Sequence, residues 1–290
     1  MNILKGKNIY FIISAVIILA GIVAYIAFGG LNFGLDFKGG TEIRMNIGAE
    51  FNNDEIASIV KETAQVDSPV IQKAGSTEVS IKTQELDTEK RDAVVEAIKT
   101  KYSLDDSALL EATNVSASAS TKLLTDALKA ILLSVVCMLI YITIRFDFKS
   151  GLAAILGLLH NVLIMIAVYA IFRMQINSTF VAAILTIVGY SINNTIVIFD
   201  KIRENRKQNR RVPFEEVSNA ALNQTFTRTV YASITTLLTI TTLYILGIDS
   251  IREFSLPIII GVLVGTYSSI CIATPLWVVF NNMKKRTKKA

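Results

Sequence analysis

Hydrophobic and polar positions along this chain follow two regimes. Five stretches, 9–28, 151–172, 174–199, 229–248 and 254–280, each run for 19 residues or more without a charged side chain. About 20 apolar residues cross the hydrocarbon core of a bilayer as a helix, so each stretch predicts one membrane span. A sixth, 127–144, holds a single charge, Lys129, near one end, where the aliphatic stem lets the ammonium reach the headgroups. Between the first two spans the periods shorten. Residues 41–47 (TEIRMNI) alternate as a strand does, 54–64 repeat apolar positions at helical spacing, and 70–73 and 78–83 read as strands around the turn 74–77. Residues 88–102 place Val94, Val95, Ile98 and Tyr102 at helical spacing, and 108–115 close as a strand.

The order β-α-β-β-α-β is the split, ferredoxin-like arrangement, and about 90 residues suffice for one small core. The expected architecture is an α-helical six-span membrane bundle carrying one small extracytoplasmic α+β domain. It divides as 1–30 (amino terminus and first span), 31–122 (outer domain), 123–282 (five-span bundle) and 283–290 (basic tail).

Composition agrees with that picture. Of the 290 residues, 52% are hydrophobic and 18% charged, against about 25% charged in a soluble domain. A soluble enzyme, a secreted disulfide scaffold and a nucleic-acid binder are excluded as classes. Cys137 and Cys271 both fall inside spans, so they outline neither a disulfide framework nor a metal site. The first span is too long for the core of a signal peptide and has no small-residue cleavage site after it, which predicts an uncleaved anchor. Basic residues then set the orientation. One side of the membrane receives Lys5, Lys7, Arg145, Lys149, seven residues from Lys201 to Arg228 and five in the tail; the other short loops hold only Arg173 and Arg252. Lys and Arg accumulate in cytoplasmic loops, so both termini are expected in the cytoplasm. The segment 31–122, with 10 basic and 16 acidic residues, is expected outside, since long domains translocate largely regardless of charge. The net charge of +5 thus follows the bilayer and requires no acidic partner.

Polar groups within the spans carry the functional information, because hydrocarbon makes them expensive. The fourth span holds Ser191, Asn193, Asn194 and Thr195 near its middle. Helix-to-helix hydrogen bonding accounts for Ser191 and Thr195; two adjacent asparagines at that depth point equally to a transport path. The fifth span opens at Arg228, and Thr235, Thr239 and Thr242 continue from it as one helical stripe. That stripe reads either as an interfacial anchor with self-bonded threonines or as a hydrated ion path. In the sixth span Gly261 and Gly265 share a face with Ser268 and Ser269, the small-x-x-x-small spacing of close helix packing. His160, beside Asn161 in the third span, reads more readily as a satisfied packing residue than as a proton relay. No nucleophile–base pair, carboxylate dyad or metal-ligand set appears, and Gly39-Gly40 lacks the context of a phosphate loop. No enzyme activity, cofactor or metal is expected.

Four stretches in order resemble one family. Leu31 to Thr41 (LNFGLDFKGGT) is similar to the GxDFxGGT signature of the SecF proteins, the smaller membrane subunits of the bacterial SecD–SecF translocase accessory complex. Residues 188–205 (VGYSINNTIVIFDKIREN), 224–238 (QTFTRTVYASITTLL) and 261–273 (GVLVGTYSSICIA) resemble that family's fourth, fifth and sixth spans. The resemblance implies the RND superfamily fold and a role assisting export of preproteins with an ion gradient. It implies a SecD-like subunit, the Sec translocon channel and unfolded preprotein at the outer domain as partners. It places Asp36, Gly39 and Gly40 in the family motif at the base of that domain, and Asn194 and Arg228 on the ion path. An acidic residue is usual where this chain has Asn194. Asparagine has no proton to lose and an arginine is permanently charged, so the carrier is expected on a carboxylate of the SecD-like partner, with Na⁺ on neutral oxygens of Ser191, Asn194 and Thr195 as the other option. Gly29-Gly30 and the Ser/Ala-rich run 116–121 are expected to flank a mobile outer domain. Half of an RND solute exporter and a static assembly scaffold are the alternative functions.

Overall fold

The computed structural model describes residues 3–67, 69–74 and 77–286. The expected turn 74–77 lies partly, and the end of the tail wholly, outside the described residues. Two compact units form, Met1–Asn32 with Leu128–Ala290, and Phe33–Ala127. A 3₁₀ turn, Ile3–Gly6, leads into α1 (Lys7–Ala27). A single turn, α2 (Leu35–Lys38), precedes β1 (Gly40–Asn46), α3 (Asn53–Ala64), β2 (Val70–Ala74), β3 (Glu78–Thr83), α4 (Thr88–Tyr102) and β4 (Leu109–Val115). The bundle helices are α5 (Ala117–Arg145), α6 (Phe148–Ile171), α7 (Ser178–Gln208), α8 (Phe214–Leu246), α9 (Asp249–Ser268) and α10 (Thr274–Arg286), with a π segment, Ser269–Ala273, between the last two.

In the smaller unit the four strands form an antiparallel sheet in the order β2-β3-β1-β4, the ferredoxin-like topology expected from the element order. Period-2 alternation in β1 sends Thr41, Ile43 and Met45 inward and leaves Glu42, Arg44 and Asn46 on the open face. The inward set joins Ile56 and Val60 of α3, Val79 and Ile81 of β3 and Val94 and Ile98 of α4 in one apolar core. Both helices start on a side-chain cap, Asn52 accepting from the Asp54 N–H and Asp87 from the Lys90 N–H, which satisfies amides that helix geometry leaves open.

The paired glycines fix how the chain enters this sheet. Gly39 has φ +76° and Gly40 φ +131°, backbone that residues with a Cβ rarely adopt. A Cβ on Gly40 would sit 2.3 Å from the Thr83 carbonyl oxygen, and one on Gly39 3.2 Å from that of Val115. Beside them, the Thr41 hydroxyl donates to Asn114 Oδ1 at 3.1 Å and accepts from the Leu86 N–H at 2.8 Å, while Asn114 Nδ2 donates to the Leu86 carbonyl at 2.7 Å. Gly40→Ala should therefore lower the stability of this unit by about 1–3 kcal/mol. Thermal unfolding of the chain checks this; an unchanged midpoint would show that the turn relaxes freely.

Among the described residues six helices are long and apolar enough to cross a membrane. Those of the third, fourth and sixth spans supply the buried centre, whereas the apolar windows of α1, α5 and α8 are largely exposed within this chain. Small residues set the close approaches. A Cβ at Gly261 of α9 would fall 2.0 Å from Ile187 Cδ1 of α7, one at Gly265 3.2 Å from Ser191 Cβ, and one at Gly21 of α1 2.4 Å from Ala167 Cβ of α6. At one end of the bundle Trp277 packs between Phe199 and Phe214, with ring centroids 4.6 and 5.3 Å away, and Phe146 meets Phe199 edge-on.

Two expectations change. Residues 201–208 and 214–228, expected as a loop, continue α7 and α8, and only 209–213 leave helical geometry. Ile202, Val217, Ala221 and Leu222 are buried there and Asn205 donates to Gln224 across the pair at 2.9 Å, so packing sustains these turns beyond the apolar windows. The run 116–121 is helical from Ala117, forming the start of α5 rather than an irregular connector.

Candidate functional site

A hydrogen-bonded chain of polar side chains runs through the larger unit. On α6, His160 meets Ser14 Oγ of α1 through Nε2 at 2.8 Å and the Asn161 Oδ1 through Nδ1 at 3.3 Å. Asn161 Nδ2 donates to Ser191 Oγ of α7 at 2.7 Å. One turn on, Thr195 Oγ1 donates to the Ser191 carbonyl at 3.1 Å and shares a 2.9 Å hydrogen bond with Ser269 at the start of the π segment. In the other direction Ser14 Oγ lies 3.4 Å from the Tyr267 hydroxyl, which donates to the Tyr10 carbonyl at 2.8 Å. The chain thus joins α1, α6, α7, α9 and the π segment. All its side-chain members except Tyr267 are buried, His160 at 9% exposure among them.

Asn194 is also buried, at 4% exposure, and its Nδ2 has no hydrogen-bond partner; Thr229 Oγ1 on α8 is in the same condition. A buried donor left open costs about 1–3 kcal/mol, so these are energetically conspicuous positions. Next to them a second, shorter link crosses helices: Tyr190 donates to Ser233 of α8 at 3.1 Å, and Ser233 meets Thr266 of α9 at 2.6 Å.

The candidate residues separate onto two surfaces. Ser191, Asn194 and Thr195 face the interior, while Asn193, one position before Asn194, is exposed. Arg228, Thr235, Thr239 and Thr242 are exposed on α8, because α8 packs on its neighbours through Leu222, Thr225, Thr229 and Ser233. Asn194 and Arg228 therefore lie on different surfaces of this chain. A step of one residue turns a helix by about 100°, which places Arg228 to the side of the buried Thr229. Thr235 donates to the Ala232 carbonyl, Thr239 to Thr235 and Thr242 to Leu238, at 2.9, 3.1 and 2.8 Å, so these threonines satisfy themselves on their own helix. Gly261 and Gly265 line the seam with α7, and Ser268 is buried and donates to the Gly265 carbonyl at 3.2 Å. Asp36 lies in α2, directly before the Gly39-Gly40 turn.

Sequence reasoning named His160, Asn161, Ser191, Thr195 and Ser269 separately; the chain connecting them was not readable, since its links between helices join residues 30 to 257 positions apart. Ser14 gave no signal at all, being the one serine in an apolar span. Among the described residues no group of three His, Cys, Asp or Glu side chains could hold a metal ion.

Residues 94–283 match the family described as protein export membrane protein SecD/SecF, C-terminal, and residues 24–46 match the SecD/SecF GG motif. The chain is 37% identical to the protein translocase subunit SecF of Sebaldella termitidis, over all of this chain and 94% of that one. It is 34% identical to the protein translocase subunit SecDF of Thermus thermophilus, over 95% of this chain and 38% of that longer protein. The crystal structure of SecDF from Thermus thermophilus, a translocon-associated membrane protein, superposes with a TM-score of 0.87 at 32% identity, covering 97% of this chain and 39% of that one. SecDF in its super-membrane-facing form superposes with a TM-score of 0.71, over 100% and 40% of the two chains.

Proposed function

The chain belongs to the SecD/SecF family of protein export membrane proteins, and from that premise we propose that it is the SecF subunit of a bacterial Sec translocase, assisting preprotein export with an ion gradient. The observation that carries this reading is the end-to-end match to SecF relatives by a chain with six apolar helices and one small α+β unit. The same sequence aligned to SecDF fills under two fifths of that protein, which supports a SecD-like partner. The exposed polar side of α8, with Arg228, and the exposed Asn193 of α7 are where that partner's helices would dock, since neither belongs against lipid. Both termini lie in the cytoplasm and the α+β unit outside the plasma membrane, where it meets unfolded preprotein emerging from the translocon. The carrier of the driving ion includes a carboxylate on the partner, opposite Arg228.

An affinity-tagged chain should bring down a SecD-like subunit together with translocon components from solubilised membranes, and its depletion should slow preprotein export. A cysteine placed at exposed Lys61 should react with an impermeant reagent added outside intact cells, and one at Arg211 should not. Solute flux without a partner, or labelling of the Lys61→Cys chain only from inside, would overturn the assignment.

A further inference from the structure

Resting on the ion-coupled reading above, we propose that His160 takes up and releases a proton during the cycle, and that Ser14 of α1 registers which state it is in. The chain has one histidine, and it is buried at the centre of the continuous hydrogen-bonded chain. Imidazole alone among side chains changes charge near neutral pH without a perturbing environment. The charged residues of α1, α6 and α9 sit toward helix ends, as Lys7, Lys149 and Glu253 do.

The surroundings of the ring assign its proton. Asn161 commits Nδ2 to Ser191, so its Oδ1 is what faces His160 Nδ1, and Nδ1 carries the hydrogen. Nε2 is then the acceptor, receiving the Ser14 hydroxyl at 2.8 Å. A proton arriving on Nε2 reverses that bond: Nε2–H now donates to Ser14 Oγ, and the Ser14 hydroxyl must turn elsewhere. The Tyr267 oxygen, 3.4 Å away, can receive it, because the Tyr267 hydrogen is already engaged by the Tyr10 carbonyl. The elements packed on α6 present few other groups to the ring. These are Ser14 and Tyr10 from α1, Tyr267 from α9 with Cys271 of the π segment beside it, and Ser191 and Thr195 from α7; positions 274–282 of α10 hold no titratable side chain.

Protonation therefore rewrites the contact between α1 and α9, not only the charge of α6. Ser14 and Gly21 are the buried residues of α1, so one of its two anchors changes sign with the proton. By connectivity α1 is the helix that continues into the smaller unit, which makes it a natural output element.

Because the histidine is unique, the chain labelled with ¹⁵N-histidine and reconstituted with its unlabelled partner in lipid bilayers yields one imidazole signal pair. As the pH is lowered from about 9 to about 5, the interval bracketing an ordinary imidazole, it should pass from a neutral Nδ1–H ring to an imidazolium with both nitrogens protonated. Ser14→Ala should leave a titrating ring with a displaced midpoint. In inverted vesicles His160→Gln should lose the pH dependence of ion-driven export stimulation while retaining the partner on purification. A ring that keeps one neutral tautomer throughout, or a His160→Gln chain with the wild-type pH profile, would overturn the proposal. Either result in a chain that still assists export leaves the translocase function standing, whereas failure of the wild-type chain to assist export strikes that function instead.

Discussion

Arg228→Ala should reduce ion-driven stimulation of preprotein export to the level seen with the gradient collapsed, while the complex with the SecD-like subunit still forms. The expectation rests on where the side chain points. Arg228 is exposed where the apolar part of α8 begins, beside the buried Thr229 and on the same side as a run of self-satisfied threonines. A permanently charged guanidinium against hydrocarbon costs about 2.5–3.5 kcal/mol, a penalty removed by an ionisable acid on a neighbouring subunit. One charge crossing 100 mV releases about 2.3 kcal/mol, so a cycle that exploits a carboxylate opposite Arg228 loses its electrostatic counterpart in the Ala variant. Co-purification yield and the rate of preprotein translocation with and without a proton uncoupler measure the two halves of the claim. Asn194→Asp should be tolerated or shift the pH optimum, because it removes a buried donor that has no acceptor and adds a titratable group. Export that follows a Na⁺ gradient and ignores the uncoupler would replace the carboxylate by an alkali-ion site.

The second large effect belongs to the helix seam. Gly261→Leu should disrupt the larger unit itself, with little folded protein recovered, and Gly265→Leu should weaken it less. At Gly261 the first added atom would already lie 2.0 Å from Ile187 Cδ1 and 2.4 Å from its Cγ1; at Gly265 the nearest atom is 3.2 Å away. Overpacking of this kind costs about 1–3 kcal/mol or more. Since the obstructing atoms belong to a side chain rather than backbone, Ile187→Ala in the Gly261→Leu background should recover part of the loss. Retention of monodisperse protein after heating in detergent, measured for the single and double variants, gives the coupling directly. Additive behaviour would mean that the seam is not what limits stability.

The helices and strands were legible because their periods differ so clearly: uncharged runs of spanning length for the bundle, alternation and helical spacing for the smaller unit. Residues 88–102 show how local that signal is, since their spacing and caps alone give α4 its observed limits. Charge, however, marks where a membrane ends and not where a helix ends, so 201–208 and 214–228 carry the pattern of a loop although they continue α7 and α8. The site was legible as a set of residue types and not as a geometry. Asn193 and Asn194 look equivalent in sequence, yet one is exposed and the other enclosed. Likewise Arg228 and Thr229 are neighbours that face different surroundings. Which of each pair turns inward follows from packing against distant helices, as where Gly261 and Gly265 of α9 meet Ile187 and Ser191 of α7, and no local pattern encodes that.

The π segment, Ser269–Ala273, settles a matter of angular phase. Gly265 and Trp277 both contact α7, at Ser191 and Phe199, yet twelve residues separate them. At about 100° per residue an uninterrupted α-helix would leave them about 120° apart around its axis. A π turn takes up one additional residue, and eleven effective steps bring the two to within about 20°. The Thr274 hydroxyl reaches five positions back, to the Ser269 carbonyl at 2.9 Å, while Ser269 itself stays bonded to Thr195 across the seam. A chain shortened by one residue between 269 and 273 would accordingly keep both contact faces aligned as a plain helix. What it would forfeit is the widened turn alone, and with it the placement of the hydroxyl that ends the buried polar chain.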